Sequence, residues 1–125
     1  MAGLLKSDRL SRFLAQAASQ PFDRKTRNCG LWLADWAMCA LDIPDPAAHL
    51  RGSEWRTICW PMRSVVKNLG LARTDSPVRG DVAIVNAGPA VGAIRGADCW
   101  WVLDRQVGLM MLRKPRFIAW GLGYA

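Results

Sequence analysis

The chain has one histidine and one tyrosine in 125 residues. It has no uninterrupted apolar run of the roughly 18 residues that a membrane span needs. No pair of cysteines has C-x-x-C spacing: the four thiols stand at 29, 39, 59 and 99, at intervals of 10, 20 and 40 residues, which is not the spacing of a zinc site. The Gly-rich stretch 88–96 lacks the Lys-Ser/Thr of a phosphate loop. No two carboxylates share a helical face as a glycosidase acid/base pair would require. Helix-turn-helix, finger and aromatic-basic patterns for nucleic acid are also missing, so no specific nucleic-acid partner is expected. The first five residues are too short for the apolar part of a secretory signal, and polar residues follow at once. The expectation is synthesis in a reducing cytoplasm with free thiols, no disulfides, no metal and no cofactor.

What is present is a well-filled apolar complement. Hydrophobic residues make up 51% of the chain, enough for one domain with its own core. Seven tryptophans stand at 32, 36, 55, 60, 100, 101 and 120. Trp is costly to expose and is enriched at interfaces, so some of the seven are candidates to face a partner chain. The formal charge is +7, from 17 Lys and Arg against 10 Asp and Glu. That excess suits either an acidic partner or simple solubility. It is uneven, because no Lys or Arg falls between Asn28 and Leu50.

Periodicity divides the chain in two. Ser7 is a candidate cap for a first helix whose apolar face is Leu10, Phe13, Leu14 and Ala17, closed by Pro21. Asn28 is placed to cap a second helix from Cys29 to about residue 41. That segment is apolar nearly all round, with Asp35 its one charge, which is the pattern of a buried helix. Ser53 and Glu54 favour the start of a third helical stretch, Pro61 predicts a kink in it, and Gly70 a stop. From Val78 onward the helical period gives way to short apolar runs at 82–85, 91–94, 99–103, 109–112 and 118–120, separated by turn residues. Helices first and strands afterwards predict an α+β domain, with N-terminal helices packed on a C-terminal antiparallel sheet. Leu33, Trp36, Val82, Ile84, Val91 and Ile94 are the expected core.

The sharpest chemical feature is Asn28-Cys29-Gly30, a thiol at the first turn of the buried helix. Free amide N–H groups and the helix dipole favour a thiolate there, and Lys25 and Arg27 would add to this. Cys29 is therefore either a candidate nucleophile or a buried structural cysteine. His49 lies in a Pro-rich loop twenty residues later and would have to fold back along the helix to serve as its base. Asp35 is placed to bond the sheet or a nearby Arg, and Asp81 to fix a turn through its own backbone. Trp100 and Trp101 point to opposite faces of a strand, so either one meets a partner or the sheet is covered on both sides. The docking candidates are these two together with Arg113, Lys114 and Arg116.

In order and spacing, Asn28-Cys29, then Gly80-Asp81-Val82-Ala83-Ile84-Val85, then Val91-Gly92-Ala93-Ile94 resembles the NlpC-type, papain-like cysteine peptidases. The stretch Asp-Pro-Ala-Ala-x-x-Arg-Gly at 45–52 and Gly88-Pro89-Ala90-x-Gly92 resemble the short divergent NlpC-like domains of phage tails and gene-transfer agents. The resemblance covers residues 25–122 of a single domain, 1–125, with 1–24 as an N-terminal helix and loop. It implies a papain-like fold with Cys29 at the nucleophile position. The general-base position, a histidine in the family, falls on Ala90, which can take no proton. The implied function is a structural component of a tail tip or baseplate with impaired catalysis. It would be carried in the virion and contact other tail-tip or hub proteins. The alternative is an active peptidoglycan amidase or endopeptidase that uses Cys29 to aid cell entry.

Overall fold

A computed structural model describes residues 6–19, 28–52, 59–104 and 106–124. Three helices come first: α1 (Lys6–Ala18), α2 (Cys29–Leu41) and α3 (Cys59–Leu69), with a 3-10 turn at Ala48–Leu50. Six strands follow: β1 (Arg73–Thr74), β2 (Val82–Asn86), β3 (Ala90–Arg95), β4 (Trp100–Asp104), β5 (Gly108–Leu112) and β6 (Phe117–Trp120). They form one antiparallel sheet in the order β1-β6-β2-β3-β4-β5. The architecture is α+β, three N-terminal helices against a six-stranded antiparallel sheet.

Helix α2 occupies the centre because its sequence leaves it no polar face. Eight of its residues are buried, among them Leu31, Trp32, Leu33 and Trp36. Asn28 caps it as expected: its backbone is extended and its Oδ1 accepts from the Leu31 N–H at 2.8 Å. At the other end Asp42 adopts φ 52° and donates its N–H to the Met38 carbonyl. Helix α1 turns Leu10 and Ala17 fully inward and packs Phe13 and Leu14 against the same core.

Two expectations about helix ends need correction. Ser7 lies inside α1, which already begins at Lys6, so it is not the cap. Pro61 neither kinks nor splits the described helix, which runs unbroken through it from Cys59 to Leu69. Helix α3 ends at Gly70 (φ 67°) through paired bonds, Gly70 N–H to the Lys67 carbonyl and Leu71 N–H to the Val66 carbonyl. The expected residues Pro21, Lys25, Arg27, Ser53 and Glu54 lie outside the described residues.

The alternation of the strands builds two cores. Val82, Ile84, Ile94, Leu103 and Trp120 face the helices and join Trp32, Leu33 and Trp36. Ala83, Val85, Ala93, Trp100, Val102 and Ala119 face the other way and form a second cluster. Val91 packs with this second group, only partly buried. Five of the six expected core residues thus lie in the helix-side core.

Among the described residues no helix covers the second face; the sheet covers it by curling. Leu112 and Phe117 belong to strands on opposite flanks, with β4, β3 and β2 between them. In a flat sheet four inter-strand steps would part them by roughly 19 Å sideways. They also sit at opposite ends of the ladder, since Leu112 pairs with Trp100 and Phe117 with Val85. The five residue steps from 112 to 117 reach at most about 18 Å. The sheet must therefore roll up until the end of β5 approaches the start of β6. The rings of Trp100 and Phe117, from β4 and β6, confirm this with centroids 5.2 Å apart. Alanines at 83, 93 and 119 leave room for the Trp100 indole, which is 1% exposed and carries the Arg95 guanidinium 5.3 Å above its ring.

A buried polar clasp ties the sheet to the helices and to the C-terminal segment. Asp81 accepts from the Val78 N–H and the Leu122 N–H, both at 2.9 Å, so it fixes its own turn and also the chain after β6. Trp36 Nε1 donates to the Gly80 carbonyl at 2.8 Å, and the Tyr124 ring meets Trp36 edge-on. Gly80 is required there twice over: its φ is 97°, and a Cβ would come within 2.3 Å of Tyr124.

Candidate functional site

Cys29 is the first residue of α2, and the strand it meets is β3. At Gly92 the strand comes so close to the helix that a Cβ would lie 2.8 Å from the Cys29 carbonyl oxygen and 2.9 Å from Leu33 Cδ1. The Gly92 backbone also hydrogen-bonds the Cys29 thiol. Ala90 is two residues earlier on β3, on the same face of the strand as Gly92, paired with Asn86 and exposed. Gly92 is thus the β3 residue that meets the start of α2.

The electrostatics run against the expected sign. Burial pushes the Cys29 thiol up from its ordinary range, and this outweighs the backbone hydrogen bonds from Gly92, Cys29 and Gly30 that pull it down. The helix start does favour a thiolate, but enclosing the sulfur costs the charged form more. Burial thus opposes the helix end at this sulfur and raises the thiol above its ordinary range. Cys39 and Cys99 are shifted up as well, again chiefly by burial. None of the three described thiols is in a disulfide.

His49 does not join this site. It is exposed on the 3-10 turn, its Nε2 lies 3.1 Å from Ser64 Oγ, and it borders a cleft with Leu41 and Ile43 at the far end of α2. Thirteen helical residues, about 18–20 Å, separate that end from Cys29. Asp35 finds a neighbouring Arg, the second of its expected partners: Arg51 donates to Asp35 at 2.7 Å and to Asp45 at 2.6 Å. This fork holds the Asp45 carboxyl below its usual range, and it is a structural brace between α2 and the following loop.

Of the docking candidates, Trp100 is a core residue of the second face and is removed from the set by its burial. Trp101 is half-buried against the helix-side core. The sheet is covered on both sides, which was the other reading of this pair. Arg113, Lys114 and Arg116 are exposed, with Arg113 3.7 Å from Asp98.

One feature escaped sequence reading: an open cleft of about 410 Å³ whose walls include Ile84, Asn86, Ala90, Arg116, Phe117 and Ile118. Phe117 and Ile118 are both more than a third exposed, although they are large, apolar and adjacent. The run 118–120 suggested a strand, but nothing in it indicated that the strand's first half stays uncovered. Among the described residues no group of three His, Cys, Asp or Glu is arranged to hold a metal ion. No helix among them is long and apolar enough to cross a membrane. No family model, curated protein or solved structure matches the chain.

Proposed function

We propose that this chain is a docking module on a papain-like, NlpC-type scaffold, serving as a structural component of the tail tip or baseplate of a tailed phage or related particle. The observation that carries the reading is the Cys29 environment. The partly buried thiol lies against Gly92, burial raises its pKa, and the strand position that the resemblance assigns to the base is the methyl group of Ala90. A nucleophile needs a base within hydrogen-bond reach and that base needs an orienting partner. The one histidine is committed elsewhere, to Ser64.

Mass spectrometry of purified particles from the producing host tests the assembly role. The chain is expected among the tail proteins, and its absence from intact particles overturns the reading. Alkylation by iodoacetamide across pH 5–9 tests the chemistry. Cys29 is expected to stay unreactive at neutral pH. Fast reaction at pH 6 would restore the second reading, a peptidoglycan amidase, which is favoured by the position of the thiol at a helix start facing β3. Release of muropeptides by the wild type but not by Cys29→Ala would establish it.

A further inference from the structure

The cleft beside Ala90 adjoins the one stretch of β6 that has lost its outer neighbour. β1 pairs only with Ala119 and Trp120. After Thr74 the chain turns away, with the Ser76 N–H bonded to Thr74 Oγ1 at 3.1 Å, so nothing continues the ladder past Phe117 and Ile118. The alternation of antiparallel bonds says which groups are left open. Asn86 N–H donates to the Arg116 carbonyl at 2.9 Å, so residues 116, 118 and 120 aim their backbone at β2. Gly121 N–H donates to the Ala72 carbonyl at 3.0 Å, so residues 121, 119 and 117 aim theirs the other way. The Phe117 N–H and C=O therefore point outward at an edge where no described strand receives them.

Beside this edge lie apolar walls from Ile84, Ala90, Phe117 and Ile118. Among the described residues Arg116 is the one charged side chain in the lining, and no described acid accompanies it. A site with one strand-like donor and acceptor pair, an apolar trough and an unopposed cation fits one ligand chemistry. We propose that the cleft receives an extended segment of a partner protein in which an acidic residue stands two positions from an apolar one, so that both side chains lie on the face of Arg116 and Ile118. The segment is laid against the edge of β6, an apolar side chain packs on Ile118, and a carboxylate two residues away meets Arg116. The inference rests on the docking reading and gives it a surface and a partner chemistry. A single short edge binds weakly, and repeated copies in a particle would strengthen it through avidity.

The probes are two six-residue peptides, Ser-Leu-Ser-Asp-Ser-Leu (the Asp-Leu peptide) and Ser-Leu-Ser-Lys-Ser-Leu (the Lys-Leu peptide), titrated into isotopically labelled full-length protein at pH 7 and followed by amide NMR shifts. The Asp-Leu peptide is expected to move Asn86, Phe117 and Ile118. Arg116→Glu should weaken it by at least about tenfold. Ile118→Ser should weaken it as well, while Arg63→Glu, exposed on α3 and outside the cleft, leaves it unchanged. Circular dichroism of each variant checks that the fold is retained. Equal binding of the Lys-Leu peptide, shifts confined to other strands, an unchanged affinity in Arg116→Glu, or preferential binding of a single-stranded DNA 12-mer at Arg116 overturns the proposal. Arg116→Glu protein that binds no peptide yet still enters particles would overturn the role of the cleft in docking and leave the assembly role standing. Wild-type protein missing from particles would do the reverse.

Discussion

The two faces of the sheet solve the same burial problem by different means. On the helix side large side chains meet large side chains: Trp32, Leu33 and Trp36 of α2 interlock with Val82, Ile84, Ile94, Leu103 and Trp120. On the other side the strands present alanines at 83, 93 and 119, and one indole, Trp100, fills the space they leave. The first core is held from outside by three helices. The second is held only by the curl of the sheet and the crossing from β5 to β6. A helix-side defect is thus shared among several elements, whereas a defect under Trp100 acts on the curl itself.

Truncations separate the two most strongly. Trp36→Ala removes a fully buried indole and leaves the Gly80 carbonyl without its donor, so a loss of about 3–5 kcal/mol is expected in urea unfolding. Trp100→Ala should cost a similar amount, but with a different signature. It loosens the contact with Phe117, so hydrogen exchange should accelerate in β5 and β6 before it does in α2. Uniform acceleration across both faces would mean that the two cores are a single cooperative unit.

Overpacking is the next largest effect. Ala93→Leu places a larger group under Trp100 where no space remains and should cost about 1–3 kcal/mol, read as a lower Tm. A neutral result would show that the curl can relax.

Smaller still is the contrast between two indoles on the helix side. Trp32 Nε1 is buried and has no acceptor among the described residues, whereas Trp36 Nε1 donates to Gly80. Trp32→Phe should therefore cost less than Trp36→Phe, by about 1 kcal/mol, the net worth of one buried hydrogen bond. Equal losses would show that volume alone matters at both positions.

The smallest effect concerns pH. Burial raises the Cys29 thiol in the folded chain, while in the unfolded chain it titrates near about 8.5. Above that value the folded state holds more protons than the unfolded state, so stability falls with rising pH until the folded thiol also ionises. Below about pH 7.5 this contribution is absent. The difference in urea midpoint between wild type and Cys29→Ala is expected to narrow from pH 7 to pH 9.5. A constant difference would mean that the thiol is not raised.

Much of this was legible because it depends on short-range rules. Asn28 before an apolar helix, Gly70 after one, and five apolar runs between turn residues each encode an element through local geometry, and α2, α3 and β2–β6 follow from them. β1 was not legible, since Arg73 and Thr74 carry no apolar pattern and become a strand only because Trp120 and Ala119 offer an edge. The expected kink at Pro61 is not seen, because the described helix runs unbroken through it from Cys59 to Leu69. For the candidate site, the sequence supplied Cys29 at a helix start and Ala90 on a strand. It had no means of weighing the helix end against burial, because burial depends on how closely Gly92 approaches.

By itself, then, the sequence determined the order of helices and strands, the helix ends marked by Asn28 and Gly70, and the lack of an imidazole at position 90. Those are properties of residues and their immediate neighbours. The roll of the sheet, the upward shift of the Cys29 thiol and the open edge at Phe117 were decided only by tertiary structure. Each depends on which atoms, distant in the chain, come within a few ångströms of one another.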